Sequence, residues 1–169
     1  MAENNDLPDP NAEKAESKEL NIKARTVLYI EDNQPSVQLM ETLLTRVPGI
    51  KMISAGTGKA GIELAERHLP DAILLDINLP DMDGFEVLGH LKVETSTENI
   101  PVIALTARTA PEDMNRGLSA GFFSYLTKPI NIQRVLDTLE KAWGGTPGGV
   151  TGGTAAFPAG VYPLESSHV

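Results

Sequence analysis

The sequence contains no cysteine, so a disulfide framework, a Cys-ligated zinc and a thiol nucleophile are all excluded. No apolar run approaches the ~20 residues of a membrane span, and the opening stretch MAENNDLPDPNAEKAESKEL lacks the apolar segment of a secretory leader. A cytoplasmic protein without membrane contact is therefore expected. Basic residues are also few: 14 Lys and Arg stand against 23 Asp and Glu, a net charge of −9. A groove for nucleic acid needs clustered cations to neutralise phosphates, so direct nucleic-acid binding is not expected.

What remains is a chain of 169 residues with 41% hydrophobic content, enough for one domain with a core. Residues 1–24 are polar, with no spaced apolar face to offset the entropy of ordering, and read as a flexible lead-in with a short helical stretch near Ala12 to Leu20. Residues 144–169 are glycine-rich and nearly uncharged, as in a tail or linker. The folded unit is expected over 25–143.

Within that unit, VLYI (27–30), KMISA (51–55), AILL (72–75), VIAL (102–105) and SYLT (124–127) are strand-length runs of branched and aromatic residues. Helical patterns separate and follow them. Ile132, Val135, Leu136, Leu139 and Trp143 form one helical stripe that Asn131 is placed to cap. Thr109 with Glu112 has the spacing of a capping box, with Pro111 in the first turn. The strand runs do not alternate polar with apolar, so both sheet faces are covered. The expected fold is α/β, a doubly wound (βα)5 arrangement around a five-stranded parallel sheet.

The residues that follow the runs carry the chemistry. Glu31 and Asp32 follow the first, Asp76 the third, Thr106 the fourth, and Lys128 with Pro129 the fifth. In a parallel sheet these are all carboxyl ends, where open α/β folds bind ligands at the point where strand order reverses. If Asp32 and Asp76 are to meet, the strand order is 2-1-3-4-5. Each residue taken alone has an ordinary reading as a loop acid, a cap or a surface charge, but together they are harder to dismiss. Two carboxylates about 4 Å apart repel by roughly 4 kcal/mol at an effective dielectric of 20, so three at one edge call for cations. Lys128 is one, and a hard divalent ion with oxygen ligands, Mg2+ or Mn2+, is the other. Such a pocket suits phosphoryl transfer to a carboxylate. Asp76 is the expected nucleophile, Glu31 and Asp32 the metal-holding acids, and Lys128 and Thr106 the phosphoryl contacts.

The segments YIEDN, LLDINLPDMDG, VIALTA and YLTKP, in that order, resemble the acid pair, phosphoacceptor loop, switch threonine and Lys-Pro motif of two-component response regulator receiver domains, a flavodoxin-like fold. The resemblance covers about residues 25–143. It implies that Asp76 takes a phosphoryl group from a histidine kinase or a histidine phosphotransfer protein, and that the backbone carbonyl of Asn78 ligates the metal. It further implies that Lys128 precedes a cis peptide at Pro129 and that Tyr125 is the aromatic switch partner of Thr106. Spacing alone reads Tyr125 as a plain core aromatic. Asn78 and Arg108 lie where the family tunes dephosphorylation, although Arg108 reads equally as a solvated charge. Output is expected through a protein-binding face made by the fourth helix, fifth strand and fifth helix. Before Tyr125, where many receivers carry acids, this chain has Phe122, Phe123 and Ser124; one Phe is expected in the core and one half exposed. AGFFSYLTKPI is also similar to receivers fused to sensor kinases.

Other readings are weaker. A haloacid dehalogenase-type phosphatase needs an acid two residues after its nucleophile, where Asn78 stands. A flavodoxin-like electron carrier needs a hydroxyl- and glycine-rich phosphate loop, where this chain has EDNQPS. AGTGKAG (55–61) departs from a P-loop at Ile53 and Ala60. LPDMDGFEVLGH departs from a calcium loop at Leu79 and His90. His68, His90 and His168 lack metal-ligand spacing.

Overall fold

The computed structural model describes residues 23–144; the lead-in helical stretch near Ala12 to Leu20, the glycine-rich tail and His168 lie outside them. Strands and helices alternate through the described chain. They are β1 (Arg25–Ile30), α1 (Gln34–Leu44), β2 (Ile50–Ala55), α2 (Gly58–His68), β3 (Ala72–Asp76), α3 (Gly84–Val93), β4 (Val102–Thr106), α4 (Pro111–Ala120), β5 (Ser124–Thr127) and α5 (Ile132–Ala142). The five strands form one parallel sheet in the order β2-β1-β3-β4-β5, as the sequence predicts.

The unalternating runs occupy the middle of the sheet. Every residue of β3 and β4 is buried, because helices cover both faces. Leu28, Ile30, Ile73 and Leu75 face one core layer with Val87, Leu88 and Leu91 of α3. Tyr29, Leu74, Ile103 and Leu105 face the other, with Val37 and Met40 of α1 and Val135, Leu136 and Leu139 of α5. The α5 stripe is therefore the core face expected, with Ile132 and Trp143 partly buried at its ends. Asn131 caps that helix by accepting the Arg134 N–H.

One helix start differs from expectation. Thr109 and Glu112 form no capping box: the N-cap of α4 is Ala110, which makes no side-chain cap. The reason is Pro111. Its ring disfavours the helical region for the residue before it, so Ala110 stays extended (φ −65°, ψ 133°) and Thr109 falls one position outside. No helix among the described residues is long and apolar enough to cross a membrane.

Candidate phosphoryl and metal site

The carboxyl edge of the sheet gathers the predicted residues. Glu31 follows β1, Asp76 closes β3, Thr106 closes β4 and Lys128 follows β5. One carboxylate oxygen from each of Glu31, Asp32 and Asp76 lies within 4.8 Å of the others. The Lys128 ammonium bridges two of these acids, donating to Glu31 Oε2 at 2.8 Å and to Asp76 Oδ2 at 2.7 Å. Three formal negative charges thus meet one positive charge, and the donor set is all hard oxygen, which fits a divalent cation of the Mg2+ kind.

The two neighbouring acids differ in a way the sequence did not distinguish. Glu31 is buried and its oxygens are taken: Oε1 accepts the Asn33 N–H at 3.1 Å, and Oε2 accepts the Tyr29 hydroxyl at 3.1 Å besides Lys128. Asp32 is exposed, and no hydrogen bond or ion pair among the described residues engages its carboxylate. The alternation of β1 explains the Tyr29 contact, since residues two apart on a strand share a face. That spacing was the signal available for Tyr29.

The titration tendencies follow from this packing. Burial and the Glu31 charge push the Asp76 carboxyl up, and Lys128 and the Asn78 N–H offset only part of that, so it titrates above the usual aspartate range. Burial also pushes Glu31 up, but Lys128 and the Asn33 N–H outweigh it and hold that carboxyl below its usual range. For Lys128, desolvation is overcome by Asp76 and Glu31, and the ammonium stays firmly charged. Burial, then the Glu31 charge and hydrogen bond, push the Tyr29 phenol up, so it remains a neutral donor.

The loop after Asp76 is tightly held. Asp76 Oδ1 accepts the Asn78 N–H at 2.9 Å, Asn78 pairs with Asp83 in an antiparallel bridge, and the Gly84 N–H donates to the Ile77 carbonyl at 2.9 Å. A Cβ on Gly84 would stand 2.8 Å from the Ile77 Cα, so only glycine allows this closure. Asp83 then caps α3 in a capping box with Glu86.

On the far side, Thr106 is buried and its Oγ1 accepts the Arg108 N–H at 3.0 Å, while the Arg108 side chain lies on the surface. The Lys128–Pro129 peptide is cis. Tyr125 is buried in the same core layer as Phe122, edge-on to its ring at 6.3 Å, and Phe123 is 44% exposed. The split between one core and one half-exposed Phe is the one expected. Gly117 of α4 makes room for Tyr125, because a Cβ there would lie 2.6 Å from its ring.

The weaker motifs resolve as packing. Thr57 caps α2, and Gly58 and Gly61 admit Met82 and Ile30 at close range. The Asp81 carboxylate occupies the first N–H groups of that helix, where a P-loop would hold phosphate. His68 and His90 are exposed surface residues.

The comparisons with known proteins point the same way. The family model described as the response regulator receiver domain matches residues 27–140. The polar-differentiation response regulator DivK of Brucella ovis is 35% identical over 120 residues, which cover 71% of this chain and 97% of DivK. The "Probable transcriptional regulatory protein TcrX" of Mycobacterium tuberculosis is 40% identical over 111 residues, covering 66% of this chain but only 46% of TcrX. Among solved structures, the receiver domain of the sensor histidine kinase PA1611 from Pseudomonas aeruginosa PAO1, with magnesium coordinated in its active-site cleft, superposes with a TM-score of 0.66. It is 30% identical and covers 72% of this chain and 99% of that domain.

Proposed function

The chain belongs to the response regulator receiver family, a signalling domain of phosphorylation-dependent two-component systems, and from that premise we propose that Asp76 is its phosphoacceptor. The observation that carries this reading is the convergence of Glu31, Asp32 and Asp76 on one edge with Lys128 bridging two of them. Receivers exchange signals with histidine kinases or phosphotransfer proteins and with downstream effectors, and the donor here is a phosphohistidine of such a partner.

In the transfer, an Asp76 oxygen attacks phosphorus as the phosphorus–nitrogen bond breaks. The departing imidazole takes the bonding pair and picks up a proton from solvent. Burial keeps Asp76 basic for a carboxylate, which favours attack. Lys128 holds its ammonium at Asp76 Oδ2, placed to follow charge on the phosphoryl oxygens, and Thr106 closes the adjacent strand with a hydroxyl. Asp32, Asp76, the Asn78 carbonyl and, through its buried carboxylate, Glu31 would hold Mg2+, or Mn2+ in its place. The bound ion supplies charge neutralisation for the acids and the phosphoryl oxygens. Acceptance of phosphoryl from small donors and its later hydrolysis belong to the same site, with Asn78 and Arg108 as the residues that tune dephosphorylation.

Thr106 follows the phosphoryl oxygens, Tyr125 repacks, and a protein-binding face of α4, β5 and α5 changes. The receiver unit runs over 25–143, acts in the cytoplasm, and signals through protein contacts with no direct nucleic-acid or membrane binding. The haloacid dehalogenase alternative finds no acid at Asn78. Incubation with acetyl phosphate and Mg2+ followed by intact-mass measurement tests the assignment: one acid-labile phosphoryl group is expected on the wild type and none on Asp76→Asn. Equal labelling of that variant contradicts it.

A further inference from the structure

The loop between Asp76 and α3 is an arch whose ends are fixed and whose middle is tied to the neighbouring helix by a side chain. Its feet are the Ile77–Gly84 hydrogen bond and the Asn78–Asp83 bridge. Between them run residues 79–82. Among the described residues, the hydrogen bonds that tie this span to another element are both made by one side chain. Asp81 Oδ1 accepts the Gly58 N–H at 2.8 Å and Oδ2 accepts the Lys59 N–H at 2.9 Å.

These are the first two N–H groups of α2, left without partners by the helix itself. The helix has its own N-cap in Thr57, whose Oγ1 accepts the Ala60 N–H at 3.2 Å. Thr57 leaves the Gly58 and Lys59 N–H groups open, so the Asp81 grip joins the start of α2 to the arch. Apolar contact supports the same junction, because a Cβ on Gly58 would meet Met82 Cγ at 2.5 Å. The Asn78–Leu79 peptide leaves the bridged foot of the arch between the Asp76–Asn78 bond on one side and this latch on the other.

We propose that Asp81 is a positioning residue for the metal site: by gripping the first turn of α2 it holds the 79–82 arch and so fixes the orientation of the Asn78 carbonyl. This rests on the reading of Asn78 as a metal ligand. A backbone carbonyl cannot be re-aimed by a rotamer, so its direction is set by whatever holds the peptides around it. Partners one shell out from a metal commonly govern its affinity in this way.

The test compares three variants of the full chain with the wild type by Mg2+ titration, followed through the amide shifts of Asp76 and Thr106 and through melting temperature. Asp81→Ala is expected to weaken Mg2+ binding about tenfold, the low end for outer partners of a metal site. Asp81→Asn keeps one acceptor oxygen and recovers part of that loss. Thr57→Ala removes the α2 cap without freeing the arch, and so lowers melting temperature while leaving Mg2+ affinity at the wild-type value. A wild type that binds Mg2+ alongside an Asp81→Ala of equal affinity overturns the proposal and leaves the metal reading intact. Absence of any Mg2+-dependent shift in the wild type overturns both.

Discussion

The two ends of the sheet use the same chemical groups and reach opposite results. At the amino end, Asp71 is paired with Arg25 at 3.1 Å, accepts the Thr26 N–H at 2.8 Å through its other oxygen, and lends its carbonyl to the Trp143 indole at 3.2 Å. Arg25 also stacks 5.4 Å from the centre of the Trp143 ring. One acid meets one base, and every strong acceptor is filled. At the carboxyl end three acids share one lysine, and Asp32 has no partner among the described residues. A balanced cluster joins the start of β1 to the end of α5, whereas an unbalanced one is strained until it receives a cation. The excess of charge over partners, not the presence of charge, separates a latch from a site.

The largest effect should come from deepening the imbalance. Lys128→Ala leaves Glu31 and Asp76 buried without their cation, and should cost about 2–4 kcal/mol at neutral pH, the range for breaking a buried pair reduced for partial exposure. Its pH dependence follows in sign. Lys128 holds Glu31 below its usual range, so that contribution is present at neutral pH and fades as pH falls into the ordinary carboxylate range near about 4. The penalty should shrink over that interval, and urea melts at several pH values measure it.

Breaking the balanced end should be smaller and blind to metal. Asp71→Ala removes the Arg25 pair and strands the Thr26 N–H, for about 1–3 kcal/mol, with an unchanged Mg2+ response. A Mg2+ response of this variant that falls with its stability would merge the two ends and remove the contrast.

Much of this contrast was legible in the sequence. The five apolar runs became the five strands, and the central β3 and β4 show why no alternation was needed: they are buried on both faces. The order 2-1-3-4-5 followed from requiring Asp32 and Asp76 to meet. The roles that depend on atoms rather than residues were not legible. Glu31 and Asp32 are adjacent acids, and only the alternation of β1 buries the first beneath Tyr29 while leaving the second in solvent. Asp81 stands in a loop of acids, and nothing local shows that its partner lies on α2, 23 residues away. The Arg25–Asp71 latch joins residues 46 apart, a distance over which a pattern carries no signal. Thr109 shows the reverse error, a correct motif displaced by the proline that follows it.

The smallest expected effect on stability is at Thr106, the proposed switch residue. Thr106→Ala removes a buried hydroxyl that accepts the Arg108 N–H, for about 1 kcal/mol, and should still permit phosphorylation. Its α4 and β5 amides should move less than those of the wild type on beryllofluoride binding. Equal movement would take Thr106 out of the relay.

The central claim is that the carboxyl-edge acids converge in excess of their cation. Thermal melts of wild type, Asp32→Asn, Asp76→Asn and Asp71→Ala, in chelator and in Mg2+ at matched ionic strength, test it most directly. With a dissociation constant of about 1 mM, roughly 10 mM Mg2+ contributes about 1.4 kcal/mol, a rise of about 3 to 8 °C in the wild type. Burial and Glu31 hold Asp76 above its usual range, so its charged form costs stability at neutral pH. Asp76→Asn should therefore melt higher than wild type in chelator and respond less to Mg2+, Asp32→Asn should do the same, and Asp71→Ala should melt lower with a full response. Melting temperatures of wild type, Asp32→Asn and Asp76→Asn that coincide in both buffers would mean that these acids are separately solvated, and would contradict the account.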